Sequence, residues 1–263
     1  MTFNKLTIIT FATDVNKLEY LKKSANLFNV EIHYIINKTW NGYYSKITET
    51  NNLLSKMNDQ DLVLFIDAYD VIVNSFYDEI LTKFYEYGCD ILLSSELNCF
   101  PDIYKEKLDN INENNETNYR YINSGGYIGY VKDIKKIFKW KDQNEILKIC
   151  EKGSDQAYFI EFFLENYNKI NIKIDYKSII FQCMHLVSWD EIVFHKGRMY
   201  NNILEVYPCF IHFNGGSWQM DDLSNIMPIF LDKVKESKNN QDKLKLNSYK
   251  QIITKTCYPV IQK

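Results

Sequence analysis

Residues 62–73, Leu-Val-Leu-Phe-Ile-Asp-Ala-Tyr-Asp-Val-Ile-Val, constrain the fold of this chain more than any other stretch. An unbroken apolar run leads into two carboxylates, Asp67 and Asp70. A run of this kind, rich in branched and aromatic side chains without polar alternation, reads as a strand buried on both faces of a parallel sheet. Its carboxyl end then opens where ligands of open α/β sheets bind. Two acids three residues apart, with Tyr69 between them, suit a hard divalent cation that keeps positions free for phosphate oxygens. The same acids are also compatible with a plain strand end followed by a solvated turn.

Flanking segments repeat the strand–helix order. Residues 5–12 read as a first strand, and Leu18, Leu21, Ala25 and Phe28 follow at helical spacing. Val30 to Ile36 is β-rich, and Ile47 to Met57 can form a helix leading into the central strand. Ile80, Phe84 and Tyr87 share a helical face closed by Gly88, and residues 90–95 form the next strand. This order predicts one α/β domain with a mainly parallel, Rossmann-like sheet and helices on both faces. Residues 98–120 are polar and asparagine-rich, and read as an excursion. Ile170 to Gln182 reads as strand, and so does the segment from Pro208 that enters Asn214-Gly215-Gly216. The domain is expected to occupy residues 1–231, with 232–263 a charged, helical tail.

Several loops carry chemistry-bearing residues. Thr39 to Lys46 forms a loop with Trp40, Gly42 and Lys46, suited to a base and a phosphate; a core-edge tryptophan and a solvated lysine are the competing account. Paired glycines at 125 and 126 mark close backbone approach or a bulge. Ser154 or Asp155 can cap a helix. His212 at a strand end can present a ring nitrogen to a metal, and Asn214 with the glycines can offer amides to a pyrophosphate.

A net charge of −3 gives no general attraction for nucleic acid or anionic lipid, so a small or neutral substrate is expected. The six cysteines include no CxxC pair, so neither a zinc ribbon nor a disulfide framework is indicated. No apolar run approaches a membrane span, and the first residues have no signal-peptide character, which predicts a cytoplasmic protein. The oligomeric state is left open, a homodimer included.

Taken together, eight stretches resemble the glycosyltransferase domain of the multifunctional procollagen lysyl hydroxylases, in that family's order through about residue 230. They are Phe11-Ala-Thr-Asp14, Trp40-Asn-Gly42, Phe65-Ile-Asp-Ala-Tyr-Asp-Val71, Leu93-Ser-Ser-Glu96, Asn123-Ser-Gly-Gly-Tyr-Ile-Gly129, Ser154-Asp-Gln-Ala-Tyr-Phe159, Ile174 to Gln182, and Ile211-His-Phe-Asn-Gly215. Size and composition suggest a free-standing, giant-virus homologue, for which the host cytoplasm or virus factory is the expected compartment.

The resemblance implies a glycosyltransferase A-type fold that moves glucose from UDP-glucose to galactosylhydroxylysine of collagen or a collagen-like polypeptide, with retention. It implies that Asp67, Asp70 and His212 hold Mn²⁺. Trp40 and Tyr69 would sandwich the uracil and Thr13 would contact the base. Lys46, Asn214 and Gly215 would lie along the ribose and phosphates, with Gly126 a further donor contact. Glu96, Asn123, Asp155 and Gln156 would face the transferred sugar and the acceptor, with Asp155, Glu96 and Asn123 as the catalytic candidates.

Three positions depart from the family pattern: Ser154 stands for an acid, Phe100 for a tryptophan, and Ser217-Trp218 for Pro-Thr. None of the four histidines (33, 185, 195 and 212) begins an H-x-D/E, so the iron site of a lysyl hydroxylase is not expected. The alternatives are a hydroxylysine galactosyltransferase or other UDP-sugar transferase, and a catalytically silent sugar- or collagen-binding module.

Overall fold

A computed structural model describes residues 4–111, 115–215 and 217–239. In chain order, strand β1 (Leu6–Ala12), helix α1 (Glu19–Phe28), β2 (Ile32–Ile36), α2 (Tyr43–Leu54), β3 (Leu62–Ile66), β4 (Val71–Val73), α3 (Tyr77–Tyr87) and β5 (Ile91–Glu96) form the first half. Then come α4 (Lys105–Ile111), β6 (Tyr121–Tyr130), α5 (Val131–Phe138), α6 (Gln143–Cys150), α7 (Asp155–Asn166), β7 (Ile172–Ile174), β8 (Phe181–Cys183), β9 (Ile192–His195), β10 (Arg198–Asn201), β11 (Phe210–His212) and α8 (Ser217–Asn239).

Six strands form the main sheet in the order β2-β1-β3-β6-β5-β7. The pairs β1–β2, β1–β3 and β5–β7 are parallel, and β6 runs antiparallel between β3 and β5. Every residue of β3 is buried. Leu62, Leu64 and Ile66 pack on one face with Phe28, Ile80, Phe84 and Phe210, while Val63 and Phe65 pack on the other with Ile47, Tyr127, Ile137 and Phe159. Two apolar layers therefore claim alternate residues of one strand, and the apolar run needs no polar alternation. A three-stranded sheet, β4-β11-β8, and a two-stranded sheet, β10-β9, complete the strands.

Three expectations are revised. Residues 98–120 hold α4 and a buried anchor set of Cys99, Tyr104, Leu108 and Tyr119, because isolated apolar residues between polar ones suffice to pin a short helix. The 170–182 stretch splits into β7 and β8. Between them Asp175 accepts from the N–H groups of Ile179, Ile180 and Phe181, and Ser178 takes a left-handed φ of 49°. Lys46 lies on the first turn of α2 rather than in a loop, since Gly42 (φ 79°) starts that helix earlier than its apolar spacing suggests. Helix α8 runs unbroken across residue 231, while residues 240–263 and Gly216 lie outside the described residues.

The two-stranded sheet β10-β9 is fastened to α3 by a buried ion network. Arg198 of β10 donates to both Glu79 oxygens at 2.8 and 3.0 Å, and Lys83 lies 2.7 Å from the same carboxylate. Burial pushes the Glu79 carboxyl up, but Lys83 and Arg198 outweigh it and hold it at about 2. A depressed carboxylate contributes stability that is complete above its unfolded value of 4.5 and is lost as pH falls towards 2. That difference corresponds to about 3 kcal/mol. Glu79→Gln is therefore expected to flatten the acid limb of a stability-against-pH curve between about 4.5 and 2, measured by urea unfolding at successive pH values.

Candidate active site

The turn between the two acids is tied to both sheets. Asp67 N–H donates to the Gly125 carbonyl of β6 at 2.9 Å, and the Asp70 carbonyl accepts from Phe213 N–H at 2.7 Å. Because β11 pairs antiparallel with β4, it ends on His212 opposite Val71. His212 Nε2 then lies 3.2 Å from Asp70 Oδ2 and 3.7 Å from Asp67 Oδ2. One ligand atom from each of the three residues falls within 4.8 Å of the others.

Gly125 makes this convergence possible. A Cβ there would sit 2.2 Å from His212 Cε1 and 2.7 Å from Asp67 Oδ2. At the ring nitrogen away from the acids, Nδ1 is 3.9 Å from Cys183 Sγ, which is itself 3.4 Å from Ser94 Oγ. Burial pulls the imidazole down, but Asp70 and then Cys183 outweigh it and hold it well above its ordinary range. Two partly accessible carboxylates and an imidazole facing one point form a donor set that fits a divalent cation of the Mn²⁺ type.

The second oxygen of Asp67 has a different partner. Oδ1 accepts from Lys46 Nζ at 2.7 Å, and the same ammonium lies 2.9 Å from Asp155 Oδ2. Burial pulls the Lys46 ammonium down, but Asp155 and Asp67 together raise it, so it stays charged. Ser154 caps α7 by accepting from Gln156 N–H at 3.0 Å, which leaves Asp155 in the first turn, where the helix dipole favours its charge.

Sequence reasoning did not anticipate the work of Glu96. Its Oε1 accepts from Asn123 Nδ2 at 3.0 Å and Gln156 Nε2 at 2.9 Å, and its Oε2 from Asn214 Nδ2 at 2.8 Å. Burial raises its carboxyl, and the three amides partly offset that. The β5–β6 register jumps between Leu93 and Ser94, which pair with Tyr127 and Asn123, so Ser124, Gly125 and Gly126 have no β5 partner. Side chains take up the freed groups. Asn123 Oδ1 accepts from Gly125 N–H at 2.9 Å, and Gln156 Oε1 from Ser124 N–H at 3.3 Å. Asn214 Oδ1 likewise accepts from Met184 and His185 N–H at 3.0 and 3.1 Å. Glu96, Asn123, Gln156 and Asn214 are thus one buried frame under the bulge, with their polar atoms engaged by each other and by backbone.

Gly126 has a packing reason: its Cβ would meet the Phe181 ring at 2.7 Å. The glycine at the site is Gly125. Gly215 is exposed with φ 122°, just beyond Asn214.

At the rim, Trp40 is 49% exposed and rests on Phe11 and Tyr43 at ring distances of 6.1 and 5.6 Å. Tyr69 is partly buried, and its hydroxyl accepts from Thr13 and Asp14 N–H at 2.7 and 2.8 Å. Tyr69 therefore clamps the loop after β1. Tyr69→Phe keeps the ring but strands two N–H groups, and is expected to cost about 1–3 kcal/mol in chemical denaturation. It should also raise the donor KM.

A family model described as the PLOD GT domain matches residues 2–239. The chain belongs to the PLOD GT domain family. Uncharacterized protein R699 of Acanthamoeba polyphaga mimivirus is 33% identical over 189 residues, 68% of this chain and 38% of that protein. The multifunctional procollagen lysine hydroxylase and glycosyltransferase LH3 of Rattus norvegicus is 28% identical over 248 residues, 86% of this chain and 32% of that protein. The chain spans about a third of the length of these curated relatives. Among solved structures, the WbbM bifunctional glycosyltransferase superposes with a TM-score of 0.52 at 12% identity, covering 89% of this chain and 52% of that one. The PLOD GT domain fold seen here is of the glycosyltransferase A type. Among the described residues no helix is long and apolar enough to cross a membrane.

Proposed function

We propose that this PLOD GT domain transfers glucose from UDP-glucose to galactosylhydroxylysine in a collagen-like polypeptide, with retention and with Mn²⁺ bound by Asp67, Asp70 and His212. The observation that carries the reading is the convergence of those three side chains at the carboxyl end of β3, over a glycine that leaves room for nothing else. Family membership and the glycosyltransferase in the name of LH3 support the substrate class. The mimivirus relative supports a viral setting, with the host cytoplasm as compartment.

Loss of UDP builds negative charge on the departing phosphate. A divalent cation bound to the three side chains supplies Lewis-acid neutralisation of that charge. Asp67 divides its oxygens, one towards the cluster and one towards Lys46, so the ammonium is held where it can also reach a phosphate. Trp40 offers an exposed ring to the uracil, and the Tyr69 clamp fixes Thr13 beside it. Asp155 is the carboxylate we assign to the positive charge developing at the anomeric carbon: it is buried in the first turn of α7 and held 2.9 Å from the Lys46 ammonium. Glu96, Asn123 and Gln156 serve as positioning residues for the strand that carries Gly125.

The test is UDP release and product analysis with Mn²⁺, using UDP-glucose and UDP-galactose against galactosylhydroxylysine and hydroxylysine peptides. Glucose transfer to the galactosylated acceptor is expected. Turnover with UDP-galactose and hydroxylysine alone would reassign the donor and acceptor, and UDP binding without transfer to either would mark a silent binding module.

A further inference from the structure

His212 and Cys183 stand directly opposite each other in the parallel register of β11 and β8, so their side chains leave the sheet on the same face. Both are buried. Nε2 of the ring faces Asp70 and Asp67 at 3.2 and 3.7 Å, and among the described residues the partner of Nδ1 is Cys183 Sγ, at 3.9 Å. The thiol is itself fixed from two directions. Sγ lies 3.4 Å from Ser94 Oγ, at the β5 register break, and the Cys183 carbonyl accepts from Gln182 Nε2 at 2.8 Å. Gln182 is buried in turn, and its Oε1 accepts from Asn201 Nδ2 at 2.9 Å.

A neutral imidazole carries one ring proton. A cation needs the Nε2 lone pair, so that proton must stand on Nδ1. The two carboxylates beside Nε2 draw it the other way, to the nitrogen that the cation requires. An acceptor at Nδ1 is the counterweight, and a buried Nδ1–H without one would lose its hydrogen bond. Metal-binding histidines commonly give this proton to a carboxylate, a carbonyl or water. Here it meets sulfur, an acceptor that stays uncharged in a closed site because burial disfavours a thiolate.

We propose that Cys183 is a positioning residue for the metal centre: its sulfur accepts Nδ1–H of His212, turns the thiol hydrogen to Ser94 Oγ, and so keeps Nε2 free for the cation. This rests on the metal ligands proposed above. The thiol is not a fourth ligand, since Sγ lies at the Nδ1 side of the ring and the converging donors are Asp67, Asp70 and His212.

The experiment measures Mn²⁺ affinity by electron paramagnetic resonance, beside thermal melts of the metal-free chains, for Cys183→Ala and Cys183→Ser. Both variants give up the volume of the sulfur and differ by a single oxygen, so packing alone would give them the same affinity. Positioning separates them. Alanine is expected to weaken Mn²⁺ binding about tenfold or more, and serine, which restores an acceptor, to keep it within about threefold, with cooperative melts in both. Ring ¹⁵N resonances of the Mg²⁺-loaded chain give an independent readout: His212 is expected as the Nδ1–H tautomer in the unaltered chain and the serine variant, and as a mixture in the alanine variant. Alanine binding Mn²⁺ as tightly as the unaltered chain, or serine binding it no more tightly than alanine, would overturn the role of Cys183. No Mn²⁺ binding by the unaltered chain would overturn the metal reading itself.

Discussion

Asp70→Asn is expected to lower glucose transfer by about a thousandfold or more, with the fold intact. Asp70 supplies one of two carboxylates in the cluster, and its Oδ2 is the nearest acid oxygen to His212 Nε2, at 3.2 Å. An asparagine keeps the shape of the turn, and the Asp70 carbonyl still accepts from Phe213 N–H, so the junction of β4 and β11 is preserved. What is lost is the charge that offsets a divalent cation and the diphosphate it carries. Steady-state kinetics at saturating Mn²⁺, beside a thermal melt, separates the two effects. Transfer within tenfold of the unaltered chain would remove Asp70 from the site.

Gly125→Ala should have an effect of similar size by a different physical route. The added methyl would stand 2.2 Å from His212 Cε1, and no close-packed interior accepts that separation. The ring cannot retreat freely, because it is buried with Cys183 Sγ 3.9 Å from Nδ1, and Phe213 N–H holds the following backbone to Asp70. The imidazole must therefore rotate away from the acids or β6 must shift, and either disperses the three ligands. We expect Mn²⁺ affinity to fall at least about a hundredfold, with a loss of stability of about 1–3 kcal/mol from overpacking. Gly126→Ala, by contrast, meets the Phe181 ring and none of the three ligands, so it should destabilise the junction of the two sheets while leaving metal affinity within a few fold.

These two glycines show what sequence can and cannot resolve. Their presence in a β-rich run signals a bulge or a close approach, and both are found. Which of them faces the metal depends on the register of β6 against β3 and β5, and the break at Leu93 and Ser94 shifts that register. Nothing local encodes it. The central strand was legible because burial on both faces leaves an apolar run with no alternation. The helix ended by Gly88 was legible because a left-handed cap at φ 57° follows an amphipathic face. Asp67 and Asp70 could be singled out from that strand's end, but His212 becomes a partner only through the pairing of β11 with β4, a contact between distant segments.

The polar frame was harder still. Glu96, Asn123 and Gln156 were expected to face the sugar and Asn214 the ribose and phosphates; in the structure these four bind one another and the backbone of the bulge. Residue type does not reveal whether an amide is satisfied internally, because its partners come from four separate segments.

The most direct measurement is a Mn²⁺ titration followed by electron paramagnetic resonance, with and without UDP, on the unaltered chain and on Asp70→Asn. The account predicts one Mn²⁺ site per chain whose affinity rises when UDP is present and which is lost in the variant. Undiminished Mn²⁺ binding by Asp70→Asn, or UDP binding of full strength in the presence of a chelator, would contradict it.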